Sequence, residues 1–461
     1  MQVKIAGYNI DQSLIAQIPN QNRATPETIS AAYARISRSK KDVTTLRQRA
    51  LEEVEKARQS NENIIFEMGH SSVAEHAVFN FDLIGVSRYL VETIQKTRLA
   101  SFTEKSQRYV TLDGDYVVPP EIVGSKLEKD FHNVIAMQNN LYDLLYQRGT
   151  EHLSKHKFAG SQRELEGRAK EDARYMLALA TETQMGMTIN ARSLAKLLRR
   201  LDAVGFAEAQ QLKQELEAGV KAIAPSLIRY TQSAAFEQDC GRLIPEFAAA
   251  KKATTLKLLR TSKNVDDEII KAMAFEKYGA DAVSLEHWVD ELDSKKKQNI
   301  FDQLFSEMKF YHTVPRAFEM AEFAFEFSVS SCCFGQLKRH RISTILRSQY
   351  HPELGYVVPN LLKELKVSDE IKLVLKSVHE LYYKLENQQP GLGNYILTNA
   401  HKLNIIFKAN LRELYHFVRL RSDQHAQWEI RELSQKLEKL IKEQAPLAAK
   451  YLMGKDKFEN L

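Results

Sequence analysis

"AEHAVFNFDLIGVSRYLVETIQKTR" at 74–98 and "FEMAEFAFEFSVSSCCFGQLKRHR" at 318–341 read as one segment written twice. In each, a strand-like alternation (Val78, Phe79, Phe81; Phe323, Phe325, Phe327) runs into a helical stretch that ends on basic residues. Two further blocks recur in the same order. "SQRYVTLDGDYVVPPEI" (106–122) matches "SQYHPELGYVVPNLL" (348–362), and "INARSLAKLLRRL" (189–201) matches "ANLRELYHFVRLR" (409–421). Shared order over three blocks makes an internal repeat far better than coincidence.

The repeat predicts an α+β fold built twice, each copy a sheet plus helices. The first copy is placed at 1–232, a linker at 233–256 and the second copy at 257–461. A length of 461 residues fits two cores better than one. Between the second and third blocks, Leu127, Phe131, Ile135, Leu141, Leu144 and Leu145 form a helical stripe that reads as packing.

An apolar content of 44% with 27% charged residues describes a soluble globular chain. A net charge of +6 suits an anionic ligand without suggesting a nucleic-acid-coating surface. Three cysteines, Cys240 and the adjacent Cys332 and Cys333, give neither a disulfide framework nor zinc spacing, and read as small buried side chains in a reducing cytoplasm. No run approaches membrane-spanning length, so the expectation is a cytoplasmic protein without a metal site or a membrane contact.

The polar motifs are individually weak. Gln336, Arg339 and His340 share one helical face, with Arg341 pointing elsewhere. A guanidinium fork suits phosphates and carbonyl edges, although on spacing alone a solvated basic helix end is the commoner outcome. "TEKSQRY" (103–109) crowds Glu104, Ser106, Gln107 and Arg108 into a loop that can hold a phosphate or be an ordinary polar turn. His70, beside Ser71 and Ser72, is a better ligand candidate than His76, which reads as a core or sheet histidine. The stretch 410–430 reads as one amphipathic helix with Leu414, Phe417 and Val418 on its apolar face.

Together these blocks resemble the flavin-dependent (alternative) thymidylate synthases. The resemblance rests on Gly69–His76, Glu104–Tyr109, Arg339–Arg341 and Asn410–Ile430, and covers both copies. It implies FAD-dependent reductive methylation of dUMP to dTMP, with methylenetetrahydrofolate and NADPH as co-substrates. Members of that family are homotetramers of one such domain, with FAD and dUMP held between subunits. Carried over position by position, it implies that Arg421 and Gln336 activate the uracil. Arg339, Glu104, Ser106, Gln107, Arg108 and Arg174 then bind dUMP. His70, Ser72, Arg339, His340, Arg341, Glu104, Asn410, Arg412 and His416 attend the flavin.

The two copies keep complementary parts. In the first copy the family's helix end reads Thr93, Lys96, Thr97 and Arg98, and Leu201 stands at the place of Arg421. In the second copy the phosphate loop reads Leu346, Ser348 and Gln349, and Asn394 stands at the place of Arg174. The expectation is one complete composite site type per chain, with two chains making a pseudo-tetramer and the other site type dead. Two rivals stay open: methylation of another pyrimidine or an RNA uridine, which the basic "KKATTLKLLRTSK" (251–263) keeps alive, and a non-catalytic nucleotide-binding protein.

Overall fold

The computed structural model describes residues 9, 11–19, 25–36, 39–110, 114–156, 158, 160–234, 244–245, 247 and 251–458. Cys240 and most of the linker read at 233–256 lie outside these residues. Two compact units form, one from 1–105, 115–125 and 181–247, the other from 106–114, 126–180 and 248–461. The second unit therefore takes in two segments of the first sequence copy.

The first unit holds an antiparallel sheet of β1 (Val78–Ser87), β2 (Ala100–Glu104) and β3 (Glu182–Asn190) in the order β1-β3-β2. The second holds β4 (Lys257–Thr261), β5 (Glu322–Ser330), β6 (Thr344–Arg347) and β7 (Lys402–Asn410) in the order β4-β5-β7-β6. The basic stretch at 251–263 thus contributes an edge strand of this sheet. Phe323, Phe325 and Phe327 are buried at alternate positions of β5, and Leu403, Ile405 and Phe407 do the same on β7.

The central strand pairs of the two sheets match at both ends. Val78 lies opposite Asn190 as Glu322 lies opposite Asn410, and Ser87 opposite Glu182 as Ser330 opposite Lys402. β1 is one residue longer than β5, and its register shifts at Gly85, which adopts a positive φ of 75°. Ser87 and Ser330 each cap the next helix, as do Asn190 and Asn410, each side chain accepting a backbone N–H from the first turn.

This register corrects one pairing read from sequence. Glu104 lies opposite Met185, and the position matching Met185 on β7 is Ile405, whose partner is Arg347. Glu104 therefore corresponds to Arg347, not Leu346: a carboxylate is replaced by a cation. Four other expectations also change. The helix that carries Gln336 ends at Leu337, so Arg339 and His340 lie beyond it, one exposed and one buried, and do not share its face. "TEKSQRY" starts as the end of strand β2. His76 is exposed, edge-on to Tyr33 at 4.7 Å. The stretch 410–430 is two helices, Leu411–Arg421 and Trp428–Gln444.

Within the second unit the helix Glu128–Lys155 buries Phe131, Ile135, Leu141 and Leu145. The turns Arg174–Met176 and Leu392–Tyr395 lead into extended segments that pair antiparallel, with Ala178 opposite Thr398. Leu179 N donates to Leu397 O and Asn399 N to Leu177 O; Ala180 N donates to Tyr395 O and Ala400 N to Tyr175 O, all at 2.8–2.9 Å. Each bond has its counterpart under exchange of the copies, so the pairing has a local twofold character. No helix among the described residues is long and apolar enough to cross a membrane.

Candidate active site

The helix Ser331–Leu337 carries Gln336 in its last turn. Its start is gripped from two sides. Ser330 Oγ accepts from Cys333 N, while Ser330 N donates to Glu429 Oε1 at 2.9 Å and its hydroxyl donates to Glu429 Oε2. Tyr175 Oη donates to the same carboxylate at 2.7 Å, and Gln427 Nε2 donates to Tyr175 Oη at 2.8 Å. Glu429 thus ties the helix N-terminus to a first-copy segment, with Trp428 Nε1 donating to Asp172 Oδ1 at 2.9 Å alongside. Burial pushes the Asp172 carboxyl up to about 6.

Arg421 ends the helix Leu411–Arg421, three and four residues beyond the buried Val418 and Phe417, so it follows their inward face. Its Nε donates to His340 Nε2 at 3.0 Å, and its two Nη groups donate to Oε1 and the backbone O of Gln336, both at 3.3 Å. His340 Nδ1 lies 3.2 Å from Glu413 Oε1. A ring that accepts at Nε2 carries its proton on Nδ1, so Glu413 is the acceptor and the imidazole is neutral. Burial, then the charge of Arg421, holds the His340 pKa well below its ordinary value. Burial and the guanidinium of Arg339 bring Arg421 down to about 10, which leaves it charged at neutral pH.

The loop after β2 supplies the second set of donors. Gln107 is buried, and Ser106 Oγ accepts from Arg108 N at 3.2 Å. Arg108 pairs with Glu171 at 2.5 Å and donates to His425 O at 3.3 Å. Asn399 Nδ2 donates to Gln107 Oε1 at 3.2 Å and to Arg174 O at 3.0 Å. Arg174 is buried. Desolvation works to lower its pKa, but Cys332, Glu171, Tyr175 and Asp172 raise it overall. Arg174 Nη2, Gln107 Nε2 and Asn399 Oδ1 are buried with no hydrogen-bond partner. Arg339 reaches solvent, yet desolvation and the charges of Arg174 and Arg108 depress its pKa.

Four guanidiniums, Arg108, Arg174, Arg339 and Arg421, thus fall in one unit and influence one another, two from each copy. Such a cluster with unmatched buried donors is chemistry for an anion. Other sequence candidates are differently placed. His70 and Ser72 are exposed in the first unit, and Glu104 there pairs with Arg88 and accepts from Gln95 Nε2 at 3.2 Å. Asn410 caps its helix, and Arg412 is bound to Glu319 at 2.8 Å and Val314 O at 3.0 Å. Arg192 and Glu75 repeat that ion pair in the first copy. His416 is exposed, its ring 5.6 Å from that of His340. Leu201, the counterpart of Arg421, is wholly buried in the first unit's core.

Sequence reasoning missed Glu413, Glu429, Tyr175 and Asn399. The Asn-x-x-Glu spacing of Asn410 and Glu413 was a readable signal for a helix start, but nothing linked Glu413 to His340. Asn399 carries no local signal.

The family model described as Thymidylate synthase complementing protein matches residues 20–226 and again 257–447. A UPF0159 protein of Thermoplasma acidophilum is 24% identical over 432 residues, covering 84% of this chain and 86% of its own. A flavin-dependent thymidylate synthase of Clostridium tetani is 35% identical over 183 residues, 39% of this chain and 72% of its own. Another of that name, from Nitratidesulfovibrio vulgaris, is 38% identical over 138 residues, 28% of this chain and 50% of its own.

Proposed function

Because the chain belongs to the Thymidylate synthase complementing protein family, we propose that it methylates dUMP to dTMP with methylenetetrahydrofolate and NADPH. In this reading one chain carries one complete site, assembled from the first copy's phosphate arm and the second copy's activating arm. The single observation that carries it is the gathering of Gln107, Arg108 and Arg174 with Gln336, Arg339 and Arg421 in one compact unit. Neither copy alone holds both sets.

The phosphate arm binds the 5′-phosphate. Gln107 and Arg174 offer it two buried donors that lack any partner, and Arg108 and Ser106 stand in the same loop. Arg421, held by His340 and Gln336, stabilises negative charge that builds on the pyrimidine ring as C5 becomes nucleophilic. Its orientation is fixed before substrate arrives, so little reorganisation is needed when that charge develops. No cysteine nucleophile is required: Cys332 and Cys333 are buried, and burial raises the Cys333 thiol far above its ordinary pKa.

The donor set on the solvent side of the Arg-His-Arg turn fits a flavin dinucleotide in chemistry. Arg339 and His416 are exposed and Arg341 is half-buried, giving cations and hydrogen-bond donors for diphosphate and ring carbonyls. His340 belongs instead to the support of Arg421, and Arg412 to the ion pair with Glu319. When bound, FAD supplies the reducing equivalents that turn the transferred methylene into a methyl group.

The test is direct. Purified protein is expected to be yellow, and to release tritium from C5-labelled dUMP when NADPH and methylenetetrahydrofolate are both present. A colourless protein that releases none contradicts the assignment, and a yellow one active on other uridines only moves it to another pyrimidine.

A further inference from the structure

Asn399 stands where neither the activating arm nor the phosphate arm was read from sequence, yet it touches both key residues of the latter. Its Nδ2 lies 3.0 Å from Arg174 O and 3.2 Å from Gln107 Oε1. A peptide carbonyl can only accept, so the Asn399 atom facing it is the nitrogen. That nitrogen needs a second acceptor from Gln107. The Gln107 amide therefore turns Oε1 toward Asn399 and its Nε2 away, and Nε2 is left buried and unmatched, as is Nη2 of Arg174, whose backbone is bound by the same Asn399 nitrogen. Buried donors without partners are costly, and the oxygens of an anionic group are acceptors for them.

We propose that Asn399 is a positioning residue for phosphomonoester recognition, aiming the amide of Gln107 and holding the peptide of Arg174; this rests on the reading above. The second copy supplies it for the first copy's arm. Its counterpart across the local twofold is Leu179, which has no polar atom to do the same. The arm's other half-site likewise has Asn394 in place of Arg174. Asn399 is anchored by its backbone, through Asn399 N to Leu177 O at 2.9 Å, so its side chain can change without releasing the paired segments.

Asn399→Leu installs the side chain of its counterpart, and Asn399→Asp keeps the shape while removing the donor. Equilibrium binding of dUMP, deoxyuridine and inorganic phosphate to the flavin-loaded protein separates the roles. Both variants are expected to lose about tenfold or more in affinity for dUMP and phosphate, with deoxyuridine held within about twofold. If the leucine variant does not fold, the aspartate variant decides. Equal losses for all three ligands mean a merely structural side chain and overturn the proposal, as does unchanged binding of dUMP and phosphate. A wild-type protein that takes phosphate but no pyrimidine ends the functional reading, and the phosphate comparison alone then decides this one. Wild-type protein that binds none of the three overturns both.

Discussion

Arg421 is a charged group made useful by what surrounds it. His340 and Gln336 accept from three of its nitrogens, and Glu413 fixes the tautomer that lets His340 accept. Arg421→Ala is expected to lower kcat by about a hundredfold or more, read by tritium release from dUMP. Glu413→Ala should lower kcat about tenfold with KM for dUMP within about twofold, because it loosens the guanidinium without touching the phosphate arm. Glu413→Gln should restore most of that loss, since its amide oxygen accepts the same bond from His340; an equal defect in both variants would contradict the positioning role. The depressed pKa of His340 sets the pH behaviour. The unfolded chain takes up a proton as pH falls below about 6.5 and the folded one does not, so stability drops with pH while the folded ring stays neutral.

The elements divide into those written in local sequence and those that are not. Strands β1, β5 and β7 follow from period-two burial, and the helix starts follow from Ser and Asn caps that recur at matching positions. The break inside 410–430 falls on the polar run Arg421–His425, which carries no Gly or Pro to mark it. It comes from side chains that compete with helix: Asp423 accepts from His425 N at 2.8 Å, and Gln427 caps the next helix through Ile430 N. The Glu104 pairing was hidden for a different reason, since the repeated Ser-Gln dipeptide aligns well while the ladder sets a register one residue away. Glu429 joins two elements and is buried, so Glu429→Ala should cost about 3 kcal/mol in denaturant unfolding by stranding Ser330 and Tyr175. A loss under about 1 kcal/mol would show that the cap is dispensable. At the paired segments, His401 Nδ1 accepts from Thr398 N, and its Nε2 is 2.9 Å from His379 Nε2. Burial takes His401 down to about 3. The unfolded chain alone binds that proton between these values, so stability falls as pH drops from 6.5. His401→Asn should remove about 2 kcal/mol of the stability difference between pH 7 and pH 5, measured by denaturant titration at both.

For the molecule as a whole, the repeat and the residue differences between its copies were legible because order, spacing and residue type survive in a linear string. Whether the two surviving arms come from one chain was not legible, since it depends on which segments fold together. The paired turns at Ala178 and Thr398, with the Gln427–Trp428–Glu429 contacts to Asp172 and Tyr175, carry first-copy residues into the second unit. The site is therefore expected to be complete within one chain. Arg108→Ala and Arg421→Ala each remove one arm, and each variant alone should be inactive. The deciding measurement is tritium release from dUMP by the two variants co-expressed and purified together. Activity no higher than that of either variant alone is the predicted result; recovery to a substantial fraction of the wild-type rate would mean that partner chains share the arms and would contradict it.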